Sequence, residues 1–190
     1  MTGAQAAATE TLRAGAPARL RRHSAALLLV DVQEAFRSYR CFARVARGAG
    51  RLLAGARILG IPRILTEQYP RGLGPTVPEL ALEDERPLEK LAFSAARAEG
   101  FALGGADQVI VCGLETHVCV AQSVLDLLGQ GAQVFLAVDA CGSRFALDHE
   151  LALRRLEQAG AIPASVEGAL FELLGGAQAP EFKAIQRLIK

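Results

Sequence analysis

At 190 residues and 51% hydrophobic composition, the chain suits one domain with ample material for a sizeable core. A formal net charge of +1 gives no bulk electrostatic reason to expect nucleic acid or membrane partners, and no stretch is long and apolar enough to span a bilayer. The four cysteines, Cys41, Cys112, Cys119 and Cys141, show neither zinc-type pairing nor the density of a small secreted disulfide framework, which points to a reducing compartment.

Residues 1–23 are alanine-rich and basic with a single acid, Glu10, and read as an N-terminal extension ahead of a domain over 24–190. A cytoplasmic protein is expected, with a mitochondrial presequence as the alternative. Residues 25–30, AALLLV, lack polar alternation and predict a strand covered on both faces, ending at Asp31. Val45, Ala49, Leu52, Leu53 and Ala56 then draw one helical face, closed by Gly60. Residues 61–66 predict a second strand. The segment TEQYPRGLGPTVPEL after it has the proline and glycine density of a long loop at the functional edge.

The run at 109–112 is β-branched and predicts another buried strand, stopped by Gly113. From Val118 the apolar positions recur at helical spacing, placing Cys119 in a first turn. The rhythm of helix, glycine and strand recurs through Gly131 and Gly160, giving strands at 133–138 and 161–164, and 87–90 offers a sixth. A final amphipathic helix is predicted over 181–189. The fold class is therefore a three-layer α/β/α sandwich around a parallel, Rossmann-like six-stranded sheet.

In such a sheet the residues directly after each strand share one edge. Asp31, Lys90 and Cys119 stand there. Each has a plainer structural reading, as a turn cap, a solvated cation or core packing. Together they make an acid, a cation and a thiol, which suffice for nucleophilic acyl transfer where they converge. A helix N-terminus and Lys90 are expected to depress the Cys119 pKa.

Asp-Val-Gln at 31–33, a lysine after the middle loop and Gly-Leu-Glu-Thr-His-Val-Cys-Val at 113–120 resemble the isochorismatase-like cysteine hydrolases. The stretches LTEQYPRGLGPTVPEL, VDACGSR and FKAIQRLIK are similar to the branch called isochorismatase domain-containing proteins. The resemblance implies a catalytic triad of Asp31, Lys90 and Cys119, a cis peptide at Leu114-Glu115, and an oxyanion hole from the backbone N–H groups of Glu115 and Cys119. Gln33, Phe36, Tyr69, Glu115 and His117 are expected around the substrate.

Nicotinamidase relatives carry an Asp-x-His metal motif after the second strand, where this chain has Thr66-Glu67-Gln68-Tyr69; neither a metal nor another cofactor is expected. Isochorismatases proper lack a cysteine at the nucleophile position, so Cys119 argues for acyl chemistry. The resulting expectation is a metal-independent hydrolase of a small amide, or else an ester, working through a thioester. The alternative is a member that binds a metabolite or protein without turnover. The expected partners are a small-molecule substrate and further copies of the chain in a homo-oligomer, with no nucleic acid and no membrane.

Overall fold

Unbroken apolar runs become central strands here because both faces of the sheet are covered. The computed structural model describes residues 18–190; most of the proposed extension lies outside them. All six strands are parallel, β1 (Ala25–Val30), β2 (Arg63–Gln68), β3 (Leu88–Lys90), β4 (Gln108–Leu114), β5 (Gln133–Gly142) and β6 (Ile162–Ala164), in the order β3-β2-β1-β4-β5-β6. Every residue of β1 and of β4 is buried. The chain reverses direction across the sheet between β1 and β4, so the carboxyl ends of those strands flank the topological switch point.

Helix α1 (Phe42–Leu59) packs with α5 (Val166–Leu174) and α6 (Phe182–Ile189), while α3 (Ala121–Gly129) packs with α4 (Ala146–Gln158). Two helical layers therefore enclose the sheet. Gly60 closes α1 in the left-handed conformation, as predicted, with its amide bonded to the last turn. Helix α5 is not singled out by sequence periodicity, although Ser165 signals it by capping the Gly168 amide at 3.0 Å.

Three boundaries differ most from the sequence reading, the first being β5, which runs four residues past the expected 138 to Gly142. Strand β2 begins two residues later and runs through Gln68, because β3 pairs with it from Thr66↔Leu88 to Gln68↔Lys90. Gly113 does not stop β4. It lies within the strand at φ 130°, and a Cβ there would meet the Val30 carbonyl oxygen at 2.0 Å, so glycine permits the close approach of β4 to β1. The loop after β2 holds the short helix α2 (Pro70–Leu73) and returns to bridge Thr76 with Gln33. Among the described residues, no helix is long and apolar enough to cross a membrane.

Candidate active site

Asp31 follows β1 in a left-handed conformation, φ 52°, which short polar side chains tolerate best after glycine. Its amide still donates to the Thr66 carbonyl, at 3.1 Å, so the residue is tied to β2 as it leaves the sheet. The carboxylate is fully buried and accepts from the Thr66 hydroxyl on Oδ1 and from Lys90 Nζ on Oδ2, each at 2.7 Å.

Lys90 is the last residue of β3. Its ammonium donates to Asp31 Oδ2 at 2.7 Å, Gln68 Oε1 at 2.7 Å and the Phe93 carbonyl at 3.0 Å, occupying all three donors. A buried cation needs such provision, since unpaired burial of a charge costs several kcal/mol.

Cys119 lies in a π-helical turn, Thr116–Val120, that leads directly into α3. It is 7% exposed, and its Sγ is 4.0 Å from Gln68 Oε1, so one amide oxygen touches both the ammonium and the thiol. The turn is braced from behind: Ser123 Oγ donates to the Cys119 carbonyl at 2.6 Å and accepts from the Ala95 amide at 2.7 Å. Burial, followed by the neighbouring Asp31 carboxylate, pushes the thiol up to about 12, against the opposing pull of Lys90. The expectation of a depressed pKa is thus corrected. Desolvation together with the neighbouring carboxylate outweighs the pull of Lys90 and favours the protonated thiol.

The Leu114-Glu115 peptide is cis. The Glu115 carbonyl accepts from the amides of Val118 and Val120 at 3.1 and 3.2 Å, and neither bond uses the amide of Cys119. The Glu115 carboxylate accepts from the Arg144 amide at 3.1 Å. His117 turns toward β5 and α4, with Nδ1 3.0 Å from Ser143 Oγ and Nε2 3.8 Å from Asp148 Oδ2. Gln33 is fully buried: its amide donates to the carbonyls of Gln68 and Gly74 and accepts from the Gln68 amide, clamping the loop after β2. Phe36 packs against Tyr39 with ring centroids 5.4 Å apart. Tyr69 is half exposed and borders a cleft of about 290 Å³ together with Arg71, Lys90 and Leu91.

Gln68 and Thr66 are polar residues of the trio's surroundings that sequence reading does not single out. The available signal is positional: both occupy the carboxyl end of β2, next to Asp31. Glu67 serves the loop, accepting from the Thr76 amide at 2.6 Å. Among the described residues, no three His, Cys, Asp or Glu side chains gather as a ligand set for a metal.

The model of the isochorismatase domain matches residues 25–168, from the start of β1 into α5. The chain belongs to the isochorismatase family. Within it, isochorismatase domain-containing protein 2 of Bos taurus is 46% identical over 170 residues, covering 88% of this chain and 83% of that protein. Among solved isochorismatase-like structures, the MAR1 ribonuclease of Caenorhabditis elegans superposes with TM-score 0.84 at 40% identity, covering 90% and 92% of the two chains. The YcaC product of Escherichia coli, described as an octameric hydrolase of unknown specificity, superposes with TM-score 0.83 at 28% identity over 92% and 90%. These matches account for the parallel sheet and its helical layers and support hydrolase activity in general.

Proposed function

We propose that this isochorismatase-family chain is a metal-independent cysteine hydrolase that cleaves a small amide, or an ester, through a thioester on Cys119. The observation that carries this reading is the gathering of Asp31, Lys90 and Cys119: the Lys90 ammonium bonds Asp31 and shares the Gln68 side-chain oxygen with the Cys119 thiol. Asp31 takes the Sγ proton as the sulfur attacks the substrate carbonyl carbon, forming a tetrahedral oxyanion. Lys90 holds the carboxylate in place and favours the thiolate as it forms.

The backbone N–H groups of Glu115 and Cys119 are assigned to the oxyanion, a contribution of about 100- to 1000-fold per donor in comparable sites. Collapse breaks the carbonyl C–N bond, and the departing amine takes the proton from Asp31. Water then attacks the thioester, giving a proton to the Asp31 carboxylate, and the thiol is restored as the acid product leaves. Gln33, Phe36, Tyr69 and His117 are assigned to the substrate surroundings, Gln33 through the loop that it clamps.

Mass spectrometry of intact protein mixed with amide and ester libraries tests the proposal: an acyl increment on Cys119 that is absent from Cys119→Ala is expected. Modification of neither protein by any library member, with no product formed, favours the non-catalytic binding member. The relative described as a MAR1 ribonuclease favours a second reading, hydrolysis of RNA. A labelled RNA cut by native protein and spared by Cys119→Ala would establish it. The octameric relative supports assembly of this chain into a homo-oligomer, which light scattering in solution measures directly.

A further inference from the structure

A cleft of about 670 Å³ opens at the carboxyl edge of β5, between the N-terminal ends of α1 and α4. It shares no lining residue with the cleft beside Lys90. Arg40, Arg44 and Arg144 line it, and no acidic residue does. The Arg44 guanidinium donates to the carbonyls of Asp139 and Cys141, which hold it at the wall without neutralising it. That of Arg144 lies over the Phe145 ring, 4.7 Å from its centroid. Three guanidinium groups with no lining carboxylate suit an oxyanion, which they recognise through paired N–H donors. Neither Cys41 nor Phe145 supplies a side-chain cap to its helix, so the positive ends of α1 and α4 add to the same field. Phe145, 56% exposed, and Tyr39 provide flat apolar surface beside the arginines.

The same wall holds the segment that carries the nucleophile. The Arg144 amide donates to Glu115 Oε1 at 3.1 Å, His149 Nδ1 is 2.9 Å from Thr116 Oγ1, and Ser143 Oγ is 3.0 Å from His117 Nδ1. Three consecutive residues, 115, 116 and 117, are thus each tied to a residue of the cleft, two positions before Cys119. The Glu115 carboxylate, which is not among the lining residues, is shared between the Arg144 amide and the Tyr39 phenol, whose pKa burial and that contact push up to about 12. Burial and the charge of Arg44 lower the His149 pKa, favouring the neutral ring at its contact with Thr116.

We propose that this cleft is a second binding site, for an oxyanion carried on a flat ring and of nucleoside monophosphate size, and that its occupancy orders the turn carrying Cys119. The oxyanion lies among Arg40, Arg44 and Arg144 and the ring lies beside Tyr39 and the exposed part of Phe145. An occupant that fixes residues 143–149 fixes the partners of Glu115, Thr116 and His117. By linkage, ordering that turn and filling the cleft reinforce one another.

Titration calorimetry of the full chain with adenosine monophosphate, adenosine and inorganic phosphate tests the ligand class. Hydrogen exchange at residues 115–119 and iodoacetamide labelling of Cys119 test the coupling. Adenosine monophosphate is expected to bind about tenfold more tightly than either fragment. Its binding is also expected to slow exchange across 115–119 and to change the labelling rate about threefold. Arg40→Gln, a change at an exposed side chain, and Arg144→Gln should each weaken binding about tenfold.

Four results would overturn the proposal: no binding at millimolar nucleotide, equal binding by inorganic phosphate (an adventitious ion only), binding unchanged in both arginine variants, or binding that leaves residues 115–119 unaffected. None of these readouts needs turnover, so a failed hydrolase reading and a failed second site remain distinguishable.

Discussion

Lys90 Nζ and Asp31 Oδ2 lie 2.7 Å apart with each side chain 1% exposed, and the thiol of Cys119 feels them in opposite directions. The carboxylate raises the thiol pKa and the ammonium lowers it, so removing each charge separates nucleophile ionisation from catalysis. Asp31→Asn keeps the volume and removes the raising charge, so iodoacetamide should label Cys119 faster than in native protein at neutral pH. Turnover should nevertheless fall roughly 100-fold or more, because the proton acceptor is gone. Slower labelling, or near-native turnover, would remove Asp31 from the role of base.

Lys90→Met removes the lowering charge. Labelling of Cys119 should slow and turnover should be mostly lost, while a merely structural lysine would leave both unchanged. The variant also strands a buried carboxylate, at a cost of about 3–5 kcal/mol. The double variant Lys90→Met with Asp31→Asn should recover much of that stability in a denaturant titration without recovering turnover.

Glu85 is buried against Arg57 and Arg63, with Oε1 2.8 Å from Nε of each. The Arg57 guanidinium foremost holds its carboxyl well below the usual carboxylate range. A depressed folded-state pKa contributes stability that is fully present above the unfolded value, about 4.3. It is lost as pH falls from there toward the folded value. Glu85→Gln should therefore cost about 2 kcal/mol at pH 7. It should also flatten the decline of stability below pH 4, as followed by thermal unfolding across a pH series.

The sheet is legible in the sequence because its central strands are buried on both faces and read as apolar runs; β1 is AALLLV and every residue of it is covered. The trio is legible as positions after strands. Its electrostatics are not, because the thiol pKa depends on how deeply Cys119 is buried and how near it lies to Asp31 and Lys90, tertiary quantities that no local pattern encodes. Gln68 is hidden for a related reason. A glutamine at a strand end looks the same whether it faces water or bridges Lys90 and Cys119, and only the pairing of β3 with β2 sets Gln68 opposite Lys90. Gly113 reads as a stop because glycine disfavours strands; the closeness of the Val30 backbone supplies the opposite reason for it.

Gly113→Ala is the sharpest test of that packing. The new methyl would need a positive φ that L-residues avoid, and it would sit 2.0 Å from the Val30 carbonyl oxygen, which is backbone and cannot rotate away. A loss of about 4 kcal/mol or outright failure to fold is expected. A native-like melting temperature would show that β4 can shift away from β1, and the Asp31 and Cys119 geometry would have to be remeasured.

The last prediction concerns metal. At the end of β2, where relatives that use a metal carry Asp-x-His, this chain places Glu67 on the Thr76 amide and Gln68 between Lys90 and Cys119. Both side chains are engaged, and among the described residues no three potential ligands gather elsewhere. In the proposed mechanism the carbonyl is polarised by backbone N–H donors, and one such donor is worth about 100- to 1000-fold. Activity on whichever amide or ester acylates Cys119 should survive extensive dialysis against a chelator, with kcat and KM unchanged. Gln68→Met should lower turnover roughly 10-fold, because Lys90 loses one of its three acceptors in a buried site. Loss of activity in chelator that zinc or iron restores would overturn the metal-free mechanism, and would make Glu67 and Gln68 the first residues to re-examine.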